Sequence, residues 1–306
     1  MATEQFALNE KANQPIEITA ATSGNEELKA YEEERRYVRF KNKACEISFD
    51  MSTGELIGLR YGEQEVLHRQ QGPKFNWYRS INNDFRNWTN TTIRLQNFEW
   101  EIAENKKSAR VVTELEAVVG KTNIPHTIVY TIYGNGAIDI EAKFKTGADF
   151  NLPRLALQTS LNPTLDKLTW FGRGPIENYQ DRKNAAYVGV YSSTVEDMRE
   201  HYTRAQTMGG RCDTRWLTLT DNKGKGIKIT AYGTFDFSAL HYTDRELWQV
   251  KYGHDLENIR RNEVVLNLDC VQRGIGNASC GPGPRPKYEI KKDSEYKYAF
   301  RIEAIK

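Results

Sequence analysis

From about residue 37 onward, apolar and polar positions alternate with a period of two. Cys45, Ile47 and Phe49 interleave with Glu46, Ser48 and Asp50, and a turn at Ser52-Thr53-Gly54 leads into Leu56, Ile57 and Leu59. Successive side chains of a strand point to opposite faces, so this spacing predicts strands with one face on a core and one in water. Residues 128–133 form a β-rich run that enters Gly134-Asn135-Gly136. Ile138, Ile140, Ala142 and Phe144 then alternate with Asp139, Glu141 and Lys143. Two such runs joined by residues that tolerate positive φ predict a hairpin. The clearest alternation comes last, with Tyr296, Tyr298, Phe300, Ile302 and Ala304 on one face and Lys297, Arg301 and Glu303 on the other. Further strands are predicted over 111–119, 155–161, 216–220, 227–232 and 264–269. Alternating β and α segments are absent, and no repeat of fixed length occurs. The expected fold is therefore all-β, a large antiparallel sandwich.

The first 35 residues break this pattern. Phe6-Ala7-Leu8 has strand character, residues 9–25 are polar with Pro15 and Gly24, and residues 26–36 are so charged that they read as a solvated helix or an extended linker. A lone strand is not stable by itself. The expected organisation is a remnant of a preceding domain at 1–17, a linker at 18–35 and one sandwich domain at 36–306.

Composition narrows the function. The 306 residues suffice to bury a sizeable core. Lys plus Arg number 43 against 41 Asp plus Glu, a net charge of +2, so no electrostatic footprint for nucleic acid or anionic lipid is present. No apolar run approaches the roughly 20 residues that span a bilayer. Neither nucleic acid nor membrane is an expected partner. The N-terminus lacks a basic region followed by an apolar stretch and does not read as a signal peptide. Cytoplasm and periplasm both remain open as compartments. Cys45, Cys212, Cys270 and Cys280 define no disulfide framework. His68, His126, His201, His241 and His254 lack ligand-like spacing, so neither metal nor cofactor is expected. No nucleophile elbow, P-loop or zinc-protease motif occurs.

Three polar clusters carry the candidate chemistry. Residues 76–88 mix Trp77, Tyr78 and Trp88 with Arg79, Asn82, Asn83 and Asp84. Aromatic faces pack on the C–H face of a sugar while amides and carboxylates bond its hydroxyls; the alternative is an Asx-rich surface loop. Residues 170–182 turn at Gly174-Pro175 and then present Glu177, Asn178, Tyr179, Asp181 and Arg182. Paired carboxylates suit acid–base work, but a self-satisfied turn explains the same residues. Residues 272–284 are rich in glycine and include Asn277 and Cys280. They form a connecting loop or a place where backbone approaches a ligand closely.

In this order the clusters resemble a known family. Gly172-Arg173-Gly174-Pro175-x-Glu177-Asn178-Tyr179-x-Asp181-Arg182 is similar to the motif of the small-chain domain of family 2 β-galactosidases (domain 5). Arg79…Asn83-Asp84, Arg211-x-Asp213-x-Arg215-Trp216-Leu217, Phe235-x-Phe237-Ser238-Ala239, His254-Asp255-Leu256 and Gly274-x-Gly276 follow in register. The similarity covers roughly residues 36–306, and residues 1–17 resemble the last strand of the immunoglobulin-like domain that precedes it.

The resemblance implies a supersandwich similar to the galactose mutarotase-like fold. It implies that the two catalytic glutamates of a retaining reaction lie on a separate barrel domain, so this chain alone is expected to be inactive. Two loops, 79–87 and 276–284, are implied to line the active-site rim. Arg79, Asn82, Asn83, Asp84, Asn277 and Cys280 are then the candidate sugar contacts. Glu177, Asn178, Tyr179, Asp181 and Arg182 are a structural motif. Where the family stacks a tryptophan on sugar, this chain has Cys280, which offers no stacking face. A second departure is 204–210, Arg-Ala-Gln-Thr-Met-Gly-Gly, where the family reads closer to R-P-Q-E-N-G. The implied partners are a galactoside, the catalytic barrel domain or large subunit, and further copies of the chain in an oligomer. The alternatives are a stand-alone carbohydrate-binding module and a mutarotase-like epimerase.

Overall fold

The computed structural model describes Gln5 and residues 26–81, 91–148, 151–277 and 281–305. The first sheet is a meander of five antiparallel strands in sequence order: β1 (Lys29–Glu33), β2 (Tyr37–Lys41), β3 (Glu46–Asp50), β4 (Glu55–Tyr61) and β5 (Gln64–Glu65). β1 corrects the expectation of a helix or linker over 26–36. Its backbone pairs with β2 from Lys29↔Lys41 to Glu33↔Tyr37, so backbone hydrogen bonding sets its conformation. Its side chains are mostly exposed, as on a solvated edge. Leu28 is buried and donates its N–H to Lys106 O at 2.7 Å, so the ordered sandwich begins before residue 36. Of the segment assigned to a preceding domain, only Gln5 lies among the described residues. Its amide bonds both the N–H and the C=O of Val188 (2.7 and 2.9 Å).

The second sheet has twelve strands: β6 (Lys74–Asn76), β7 (Thr91–Ile102), β8 (Ser108–Val119), β9 (Thr122–Tyr133), β10 (Ile138–Lys145), β11 (Arg154–Leu161), β12 (Lys167–Gly174), β13 (Tyr187–Thr194), β14 (Arg211–Thr220), β15 (Gly226–Leu240), β16 (Val264–Gln272) and β17 (Glu295–Ile305). The main path runs β13-β12-β14-β15-β17-β10-β9-β8-β7, and a branch β15-β16-β11-β6 leaves it. The branch point is physical. Residues 226–231 of β15 pair with β17, whereas residues 236–240 pair with β16. Between them Gly233 sits at φ +110, a backbone region that L side chains rarely adopt, and there the strand bends from one leaf to the other.

The two sheets share a core. Phe49 meets Tyr130 edge-on at 5.0 Å between ring centroids, and Phe40 meets Trp100 at 5.6 Å. The 134–136 turn joins β9 and β10 as a hairpin, and Tyr298, Phe300 and Ile302 of β17 are buried. Among the described residues one short α-helix, α1 (Asp244–Gln249), is capped at its start by Thr243. Thr243 Oγ1 accepts from Glu246 N (3.3 Å), and Glu246 Oε2 accepts from Thr243 N (2.8 Å), a reciprocal cap.

Candidate functional site

β12 extends through Trp170 to Gly174, further into the second polar cluster than its Gly-Pro turn suggests, and the chain turns at Pro175. The residues that follow bond to their surroundings one by one. Glu177 accepts from Gly209 N at 2.9 Å and from the hydroxyls of Tyr179 (3.2 Å) and Tyr202. Asn178 is buried; its Oδ1 accepts from Cys212 N (2.8 Å) and its Nδ2 donates to Ile176 O (3.0 Å). Gln180 donates to the buried Asp236 at 2.7 Å. Upstream, Arg173 Nε donates to Asp213 at 2.5 Å, with Lys183 at 3.1 Å on the same carboxylate. Burial of Asp213 alone would raise its pKa. The Arg173 hydrogen bond and the Lys183 charge outweigh that and hold it below the usual carboxylate range.

Asp181 and Arg182 reach across to the glycine-rich loop after β16. Asp181 accepts from Ile275 N (2.9 Å) and Gly276 N (2.6 Å), and Arg182 donates to Gly276 O. Gly276 lies at φ +59, and an added Cβ would stand 2.6 Å from Gly283 C, so the loop closes on itself only with glycine there. Arg79 supports the same loop from below. It is only 1% exposed and donates to Gln272 Oε1 (3.2 Å), Gly274 O (3.0 Å) and Arg273 O. The three polar clusters thus converge in space. The second and third of them bound an open cavity of about 390 Å³ lined by Asp181, Arg182, Gly276, Asn277, Arg285 and Tyr288 together with 282–284. Asp181 is the one carboxylate among the described lining residues, and two backbone N–H groups already occupy it.

The expected site residues separate accordingly. Asn277 and Arg182 are exposed at the cavity. Arg79 is buried, and its guanidinium bonds the carbonyls of Arg273 and Gly274 and the side chain of Gln272, so it holds the loop. Asn82, Asn83, Asp84 and Cys280 lie outside the described residues. Cys45, Cys212 and Cys270 are free thiols.

Sequence reasoning missed a buried ionic group beneath this site. Arg154 and Asp269 are each 1% exposed, with Nε and Oδ1 2.7 Å apart, and Arg154 Nη1 donates to Asp244 at 2.7 Å. Thr207, in the departing 204–210 segment, donates to Asp244 (2.5 Å) and accepts from Ser80 N (2.6 Å). One guanidinium faces two carboxylates, with Asp236 beside them. Burial first, then Asp236 and Asp244, outweigh Arg154 and push Asp269 up to about 7. The available signal was a charge inside an apolar strand, Asp269 within Val-Val-Leu-Asn-Leu-Asp and Arg154 just before Leu155.

This architecture, two antiparallel sheets curled around one core, is the galactose mutarotase-like supersandwich. A putative aldose 1-epimerase of Escherichia coli K12 superposes with a TM-score of 0.50 at 8% identity, over 91% of this chain and 99% of that one. The chain belongs to the β-galactosidase small-chain family, whose profile, described as "Beta galactosidase small chain", matches residues 41–302. A β-galactosidase of Priestia megaterium is 27% identical over 265 residues, 84% of this chain and 25% of the relative. One of Vibrio cholerae is 26% identical over 328 residues, 99% of this chain and 30% of the relative. The chain spans about a quarter of the length of the curated relatives it matches.

Proposed function

We propose that this chain is the non-catalytic C-terminal part of a larger family 2 β-galactosidase, corresponding to its domain 5, which hydrolyses terminal β-D-galactosides. It shapes one side of the active-site rim, and the catalytic carboxylates come from a barrel domain or a large subunit. The observation that carries this reading is the cavity at Asp181, Arg182 and Asn277. Glycoside hydrolysis uses a pair of carboxyl groups flanking the scissile bond, whereas the described residues of this cavity offer one, already bonded to Ile275 N and Gly276 N. What it does offer is a fixed loop with the exposed Asn277 amide and Arg182 guanidinium, suited to hydrogen-bonding sugar hydroxyls and excluding water.

The test is hydrolysis of an aryl β-galactoside. The chain alone should show none, and activity should appear when it is combined with a polypeptide carrying the remaining length of its relatives. In that assembly Arg182→Ala should raise KM more than it lowers kcat. Barrel-independent hydrolysis by this chain would refute the proposal. The cavity forms entirely within the chain, which favours a second reading as an autonomous carbohydrate-binding module. Calorimetric heat with galactose at millimolar concentration, together with no complementation, would select that reading.

A further inference from the structure

A second cavity of about 340 Å³ lies where β6, β11 and β16 meet the N-terminal end of α1. Its floor is unusual for a sheet face under cover. In register across four strands stand Lys74, Gln158, Asn267 and Ser238. Asn267 Oδ1 accepts from Asn76 Nδ2 (2.9 Å) and Gln158 Nε2 (3.1 Å), and Asn267 Nδ2 donates to Ser238 Oγ at 3.4 Å. Asn267 is buried beneath, while Asn76 and Gln158 line the cavity. Trp77 and Ile93 supply apolar wall. Trp77 Nε1 donates to Thr91 Oγ1 at 2.6 Å, which leaves the Thr91 hydroxyl hydrogen for another acceptor.

The charges at this cavity are largely committed to protein partners. Lys74 pairs with Glu55 at 2.9 Å, Arg261 with Glu246 (2.8 Å) and Glu263 (2.6 Å), and Asp244 with Arg154 at 2.7 Å. Uncommitted capacity sits on neutral groups. Asn76 and Gln158 each use one of two amide hydrogens, and Gln158 Oε1 accepts from no donor among the described residues. A ligand matched to these groups must both donate and accept at adjacent positions, carry no charge and present an apolar patch. A sugar ring meets all three conditions; a phosphate is charged and calls for uncommitted cations.

We propose that this cavity is a second saccharide site, taking one neutral pyranose unit with Gln158, Asn76 and Thr91 as its polar contacts. It goes beyond the proposed function and does not depend on it. The test is a titration of the ¹⁵N-labelled chain with methyl β-D-galactopyranoside and methyl β-D-glucopyranoside. The side-chain amides of Gln158 and Asn76 should shift with at least one sugar in the millimolar range. Gln158→Met should weaken that binding about tenfold, and Arg182→Ala, at the other cavity, should leave it unchanged. Thr91→Val, which leaves the amide row intact, should also weaken binding and decides the matter if Gln158→Met does not fold. No shift with either sugar at millimolar concentration, shifts confined to 274–277, or tighter binding of inorganic phosphate at the same amides would each overturn the proposal.

Discussion

β11 and β16 are buried on both faces, and the two faces are chemically unlike. One face carries Leu155, Leu157 and Leu161 beside Leu266 and Leu268, with Phe237 of β15 next in register. The other carries Arg154, Gln158 and Ser160 beside Asn267 and Asp269, with Asp236 and Ser238 next in register. On the apolar face, stability follows from area removed from water, a non-directional contribution of about 1.5–3 kcal/mol per buried side chain. On the polar face, each group is tolerable only with a partner at the right distance, because an uncompensated buried charge costs more than a missing methylene. The same two strands therefore anchor the fold with one face and position the candidate sites with the other. Segments 77–81 and 205–210 and α1 cover the Arg154–Asp269 end of the polar face.

The largest effect is expected on the polar side. Arg154→Ala leaves Asp244 and Asp269 facing each other without their shared cation and should cost about 3–5 kcal/mol, read as a lowered urea midpoint. Leu268→Ala on the opposite face should cost about 3 kcal/mol, whereas Leu268→Met should cost less than about 1.5 kcal/mol. Equal tolerance of Met at 154 and 268 would erase the distinction between the faces.

A pH scan sharpens the comparison, because each layer holds a displaced titration. His126 packs against Phe75 and Phe144, which also meet each other, on the apolar side, and burial lowers its pKa to about 4. As pH falls from about 6.5 to 4, the unfolded chain takes up a proton that the folded chain does not, so stability falls by about 3 kcal/mol. Asp269 works in the opposite sense. Its pKa is raised to about 7, so the folded chain holds a proton that the unfolded chain releases, and stability falls as pH rises from about 4 to 7. Relative to wild type, His126→Phe should make the slope of stability against pH across that window more negative, and Asp269→Asn should make it more positive. Thermal melts at several pH values distinguish the slopes. The smallest change in stability, about 1 kcal/mol, is expected for Asp181→Asn, with the Gly276 amide resonance as the sensitive readout of a loosened loop.

Much of the apolar side was legible in the sequence. Period-two alternation placed β3, β4, β8, β11, β16 and β17 and the β9–β10 hairpin. β1 escaped because a solvated edge strand of Lys, Tyr and Glu lacks alternation, and its pairing is made by backbone. The polar side was legible only in part. The Glu177–Arg182 motif and the glycine-rich loop were visible as clusters, but a linear pattern does not reveal that Asp181 bonds Ile275 and Gly276. The burial of Arg79 was not legible for the same reason. An arginine beside amides and aromatics reads as a sugar contact, and only three-dimensional proximity shows that its guanidinium bonds the carbonyls of Arg273 and Gly274.

The position of β17 bears on the order in which the chain is made. Residues 295–305 are inserted between β10 and β15, in the middle of the large sheet. Until they leave the ribosome, β10 and β15 each present an open edge across that gap, and more than 140 residues separate β10 from the strand that seals it. Such long-range closure slows folding and lengthens exposure of pairing-competent edges during synthesis. Premature termination before residue 295 would thus remove a central stave of the sheet, leaving nascent chains that invite chaperone capture or self-association.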